Sequence, residues 1–223
     1  MMLGRLERMK TGQDIFLLLS LLLVILMYPV LDHSDLGRLI LAALVFVPVG
    51  LATLRMSQTK VWVRPSVMLM SSVVVFGVLS IVFPRPALLV IKWGIMTAFF
   101  ALTVVCLFTY LKNARTILSS HLFTAVSIYV LIGMLYFSLY SAIDVFCPGA
   151  FQLSPSVATD RPSELLYFSL ITLSTIGYGD IVPVYGVARM LAALEGMTGV
   201  LYVAIMIALL VSAFRWQGDA RPE

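Results

Sequence analysis

Apolar residues gather in blocks of about a bilayer's length, with charged residues marking the breaks, and six such blocks can be counted along the chain. A bilayer core takes roughly 20 apolar helical residues, with a usable range of about 17 to 25. The blocks are Ile15 to Leu31, kinked or ended near Pro29; Leu39 to Leu54, short but extendable through Gly37; and Pro65 to Pro84. Then come Ala87 to Leu111, with Lys92 near its start, His121 to Ile143, and Val187 to Phe214. The first block is long and no small-residue cleavage site follows it, so it reads as a span and not as a signal peptide.

Between the fifth and sixth blocks the pattern changes. A polar loop, CPGAFQLSPSVATD, leads into RPSELLYFSLITLST. The second stretch predicts a short helix: Asp160 suits an N-cap, Pro162 the first turn, and Glu164 the positive end of the helix dipole. At roughly 12 residues, or about 18 Å, it is too short to cross. It is expected to enter from outside and end at TIGYG, Thr175 to Gly179. Non-helical backbone at membrane depth is tolerated only where it is buried in protein or lines a watery path. The expected fold class is therefore an all-α membrane protein with six transmembrane helices and a re-entrant pore helix and loop between helices five and six. Residues 1–115 form a four-helix module and residues 116–223 the remainder.

Composition agrees: 61% of the 223 residues are hydrophobic and 12% charged, and the mean hydropathy is +1.04. Lipid is the expected partner. The net charge of +4 does not point to nucleic acid, because the basic residues are scattered among the breaks. Placing the N-terminus inside puts Arg5, Arg8, Lys10, Arg55, Lys60, Arg64, Lys112, Arg115, Arg215 and Arg221 on the cytoplasmic side. Only Arg38, Arg85, Lys92, Arg161 and Arg189 then lie outside, so both termini are expected to be cytoplasmic. Cys106 and Cys147 lie far apart in the pattern, so neither a disulfide nor a zinc site is expected, although Cys147 could pair between subunits.

The glycines of TIGYG permit φ > 0. A strand alternating between ordinary and mirror conformations aims successive carbonyls one way. Four such strands around an axis give rings of oxygens that replace the hydration shell of a large monovalent cation. Tyr178 would plug that column if it pointed inward, so it is expected to turn outward onto Tyr167 and Phe168.

Thr-Leu-Ser-Thr-Ile-Gly-Tyr-Gly-Asp, Thr172 to Asp180, resembles the selectivity-filter signature of the tetrameric potassium channels. An aromatic pair precedes it on the short helix and a glycine follows on the inner helix, so the resemblance covers about residues 116–223. It implies that Thr175, Ile176, Gly177, Tyr178 and Gly179 line the filter, with K+ held by the carbonyls of Thr175, Ile176, Gly177 and Tyr178. Asp180 then sits at the outer mouth, and Thr172, Ser174 and Glu195 stand behind the filter as support. It implies a passive potassium channel, a homotetramer with three further copies of the chain, no enzyme and no cofactor beyond the permeant ion. The compact chain is similar to prokaryotic channels of the plasma membrane. After Phe214 nine residues follow in this sequence, so gating by a cytoplasmic ligand-binding domain is not expected from this chain alone, though a partner could supply one.

Span four carries Lys92 and Lys112 with no charge between them. A voltage sensor needs several repeated charges, so Lys92 reads as snorkelling and the first four spans as scaffold. Spans one to three are expected to lack buried acids. Glu195 lies well inside span six and shares a helical face with Gly199. Two readings stay open for it: tuning of the filter through Thr172, Ser174 or a backbone amide, or a plain structural hydrogen bond. Gly199 resembles an inner-helix hinge and equally suits close packing. Val203 with Met206 or Ile207, and Leu210, are expected to line an apolar inner cavity. His33 and His121 read as solvated or capping. Alternatives are a non-selective cation channel, a subunit of a potassium-uptake transporter, and a non-conducting membrane scaffold or channel subunit.

Overall fold

The computed structural model describes residues 2–31, 60–83, 85–112, 119–153 and 161–218, with isolated positions between 34 and 50. Its elements are helices α1 (Met2–Leu31), α2 (Lys60–Val82), α3 (Pro86–Lys112) and α4 (Ser119–Phe146), strand β1 (Phe151–Leu153), helix α5 (Arg161–Leu173), strand β2 (Ile181–Pro183) and helix α6 (Gly186–Gly218). Among the described residues, Asp14–Leu31, Pro86–Lys112, His121–Phe146 and Gly186–Leu209 are long and apolar enough to cross a membrane, and Val67–Ser80 in α2 is a shorter apolar stretch. The protein is a mostly helical integral membrane protein. The expected second span lies almost wholly outside the described residues, as do His33 and Asp160.

Several serine and threonine hydroxyls in these apolar helices find a partner on their own helix. Ser20 donates to the Leu17 carbonyl at 2.7 Å, Thr103 to Phe99 at 2.9 Å and Thr198 to Leu194 at 2.7 Å. Such back-bonding satisfies these donors where water cannot.

Helix α4 is the hub, packing on α1, α3, α5 and α6. One apolar core joins Leu17, Leu21 and Val24 of α1 to Phe99, Phe100 and Leu107 of α3 and Ile128 and Leu131 of α4. A second gathers Trp93, Phe137, Tyr140, Phe151, Leu165, Phe168 and Ile181, and so ties α3, α4 and α5 to both strands.

Two departures from the expected all-α layout matter. The loop after α4 is not wholly irregular: β1 pairs antiparallel with β2, Phe151 opposite Pro183, Gln152 opposite Val182 and Leu153 opposite Ile181. Phe151 drives this, buried at 1% exposure against Tyr140 and Phe168 at ring distances of 5.3 and 5.5 Å. The Ala150 carbonyl extends the pairing by accepting from Val184 N at 2.9 Å and Tyr185 N at 3.3 Å. Two ionisable residues at the ends of apolar blocks also differ from expectation. His121 is buried and stacked on Tyr110 with ring centroids 5.7 Å apart, because α3 and α4 pack closely along their lengths. Asp14, at the edge of the first span, is buried too.

Candidate functional site

Helix α5 starts with Pro162 and Glu164 in its first turn, where a missing N–H and a negative charge are both favourable. Arg161 clips this end to α4, its Nη1 donating to both carboxylate oxygens of Asp144 at 2.6 and 2.9 Å. At the other end the chain folds over its own last carbonyls. Ser174 N donates to Leu170 O at 3.1 Å, Thr175 N to Thr172 O at 3.0 Å, and Ile176 N and Gly177 N to Ile171 O at 2.9 and 3.3 Å.

Beyond this turn the backbone alternates. Thr175, Gly177 and Gly179 have φ of +59°, +53° and +80°, while Ile176 and Tyr178 between them do not adopt positive φ. This is the alternation that lets successive carbonyls face one side. Glycine is required at 177 and 179 by conformation alone, since a Cβ added there meets nothing within 4 Å. Thr175 is the exception, a β-branched residue in a region where its side chain is strained. Asp180 follows, its Oδ1 accepting from Ile181 N at 3.2 Å at the start of β2.

The aromatic residues are arranged differently from the sequence expectation. Phe168 faces inward, with ring centroids 5.2 Å from Tyr140 and 5.5 Å from Phe151. That face is filled, so Tyr178 does not settle on it and stays 71% exposed on the single chain. Tyr167 points to the strand exit instead. Its hydroxyl is pushed up to about 12, first by lost hydration and then by the hydrogen bond and charge of Asp180. It is thus a neutral donor at any ordinary pH.

Glu195 is fully buried and reaches α5 one turn earlier than expected, at Ser169 and not at Thr172 or Ser174. Its Oε2 accepts from the Tyr140 hydroxyl at 2.5 Å, and its Oε1 lies 2.5 Å from Ser169 Oγ. Ser174 turns back onto its own helix, donating to the Leu170 carbonyl at 2.7 Å.

Helix α6 runs unbroken through Gly199. A Cβ there would fall on the Leu173 carbonyl, the same oxygen that accepts from Tyr129 OH at 3.1 Å. Close packing therefore accounts for this glycine without a hinge. Further along, Val203 and Ile207 are exposed while Met206 is turned into the chain; the side chain of Leu210 lies outside the described residues.

Sequence reading passed over Tyr129, Tyr140 and Ser169. The signal was present: Tyr129, Tyr136 and Tyr140 recur at seven and four residues, which places them on one helical face. Among the described residues, no group of three or more His, Cys, Asp or Glu could hold a metal ion.

Three comparisons bear on this site. An ion-channel family model matches residues 115–215. A protein of Rhodopseudomonas palustris named as a potassium channel is 37% identical over 51 residues, which is 23% of this chain and 12% of that protein. The A-type voltage-gated potassium channel KCND3 of Homo sapiens is 33% identical over 87 residues, 37% of this chain and 13% of its own. The Shal potassium voltage-gated channel protein of Drosophila melanogaster is 32% identical over 87 residues, 37% of this chain and 15% of its own. The chain thus spans well under a fifth of the length of these relatives. No solved structure matches it.

Proposed function

We propose that this chain, a member of the ion-channel family over residues 115–215, is a passive potassium-selective channel and not an enzyme. The observation that carries the reading is the alternation of φ at Thr175, Gly177 and Gly179, placed directly after a helix too short to span. In this reading the carbonyls of Thr175, Ile176, Gly177 and Tyr178 coordinate K+, Gly179 completes the filter and Asp180 marks its outer mouth. Tyr167, Phe168, Thr172, Ser174 and Glu195 support it from behind.

The finer architecture belongs to the same proposal. Six spans, with α5 re-entrant between the last two, divide into a scaffold over residues 1–115 and a pore domain over 116–223. Each chain supplies one filter strand, so a closed ring takes four copies. The exposure of Ile176 and Tyr178 on the single chain supports this, since it leaves that wall for neighbouring copies to complete. Both termini face the cytoplasm, in a prokaryotic plasma membrane. The names of the relatives support potassium as the permeant ion, and no further cofactor is needed.

Reversal potential tests this reading. Purified protein in planar bilayers, with potassium on one side and sodium on the other, should reverse near the potassium equilibrium potential. Clear current reversing near zero would instead mean a non-selective pore.

The first helices are read as scaffold, not as a voltage sensor. Lys92 sits with its ammonium 4.2 Å from the Trp93 ring centroid, and Trp93 is itself locked edge-on against Phe137. A charge crossing the whole field contributes about 2.3 kcal/mol per 100 mV, but a lysine pinned near one face crosses little of it. Lys92→Gln should leave the conductance–voltage relation where it was. A clear shift along the voltage axis would refute the scaffold reading.

A further inference from the structure

Behind the filter, three fully buried side chains from three helices meet: Tyr140 of α4, Ser169 of α5 and Glu195 of α6. Their oxygens are close enough to count hydrogens. Ser169 Oγ lies 2.7 Å from the Gly133 carbonyl oxygen and 2.5 Å from Glu195 Oε1. Two oxygens at such separations need a hydrogen between them. The serine hydroxyl supplies one, and the Gly133 carbonyl has none to give. The second must come from the carboxyl group. Tyr140 OH, 2.5 Å from Oε2, supplies the third contact with its own hydrogen.

Charge balance points the same way. A buried carboxylate needs a paired cation as well as hydrogen bonds. The helices packed on this site carry few bases: α4 has His121, at its opposite end and stacked on Tyr110, and α5 has Arg161, already engaged by Asp144. On α6 itself Arg189 is exposed, and Arg215 lies at the far end. From α4 the ionisable groups facing Glu195 are Tyr140, a donor to it, and Tyr129, whose hydroxyl donates to the Leu173 carbonyl, with Tyr136 beside Tyr140 at a ring distance of 6.2 Å.

We propose that Tyr140, Ser169 and Glu195 form an uncharged hydrogen-bonded chain, Glu195 donating to Ser169 and Ser169 to Gly133, which positions the pore helix against α4 and α6. These are positioning residues, acting on the filter through α5. The inference rests on the channel reading for its consequence, though not for the hydrogen placement. A glutamine at 195 reproduces the pattern, its amide donating to Ser169 and its carbonyl accepting from Tyr140. An aspartate keeps the carboxyl but is one methylene too short to reach both partners.

The test has two arms. Infrared difference spectra of the purified wild type and Glu195→Gln, at neutral pH, should show the C=O stretch of an un-ionised carboxylic acid in the wild type that the variant lacks. In bilayers, Glu195→Gln should keep the wild-type reversal potential and a current within about twofold, whereas Glu195→Asp, leaving one buried partner unmatched, should lose about tenfold or more. Absence of that infrared band would overturn the hydrogen placement. An aspartate variant conducting as well as the glutamine variant would overturn the positioning role. The infrared arm needs no current, so a wild type that fails to conduct potassium would count against the channel reading and leave the hydrogen placement to be decided by the spectrum.

Discussion

Gly177→Ala should abolish potassium-selective current while leaving the protein folded. The glycine sits at φ +53° with open space around the position of a Cβ, so the substitution meets no steric wall. What it meets is the local backbone penalty of an L-residue in the left-handed region, about 1–2 kcal/mol, repeated in every copy around the proposed ring. The inexpensive escape is for residue 177 to return to negative φ. That would rotate a peptide plane within the strand and turn a carbonyl away from the ion path. The neighbouring turn, where Ile176 N and Gly177 N both donate to Ile171 O, would loosen with it. Reversal potentials under opposed potassium and sodium should move from the potassium equilibrium value toward zero, or current should vanish, with unchanged elution of the assembled protein. An alanine variant that keeps full selectivity would show that the φ alternation is not what selects the ion.

Gly199→Ala should fail earlier, at folding or assembly. An added Cβ would land on the carbonyl oxygen of Leu173 and crowd its Cδ1 at 3.3 Å. The nearest contact is backbone and not a flexible tip: the oxygen is the last helical carbonyl of α5, and Tyr129 OH donates to it at 3.1 Å. Either α6 or the end of α5 must move, which makes about 1–3 kcal/mol a lower range for the destabilisation in each chain. Gly196 is the internal control, because a Cβ there stands 3.7 Å from the Thr172 carbonyl, an ordinary contact. Gly196→Ala should be neutral or stabilise by up to about 1 kcal/mol, the usual advantage of alanine over glycine inside a helix. Thermal melts in detergent, with elution volume as the second readout, separate the two. A Gly199→Ala protein that melts and elutes like wild type but conducts abnormally would restore the hinge reading.

Local features of this chain were legible in the sequence, and contacts between distant residues were not. Helix α5 was readable because Pro162 and Glu164 mark its start and the glycines its end. The boundaries of α3, α4 and α6 follow from charge and glycine at the block ends. The alternation at Gly177 and Gly179 follows from the residues themselves. Thr175 does not: nothing about a threonine announces φ +59°, which its neighbours impose. Glu195 was visible as an oddity inside an apolar span, yet its partners lie 26 and 55 residues away, and choosing Ser169 over Thr172 takes the rotation of α5 about its axis. The β1–β2 pairing escaped for the same reason. Three residues, Phe-Gln-Leu, carry too little alternation to stand out from a loop, and their strand partner lies beyond the filter. For Tyr178 only the packing on Phe168 fails, because that ring is engaged by Tyr140 and Phe151.

The bare filter wall has a consequence for genetics. On one chain Ile176 is 54% and Tyr178 71% exposed, so in the proposed tetramer the conducting surface would be shared among the copies that close around it. A damaged allele should therefore act by contaminating assemblies and not by halving a dose. If four copies mix at random from equal pools of intact and Gly177-altered chains, about one ring in sixteen is free of the lesion. Co-expressed with intact chains, a variant of this kind would suppress the current, whereas one whose chains fail to assemble, as expected for Gly199→Ala, would leave the current of the intact chains unaffected.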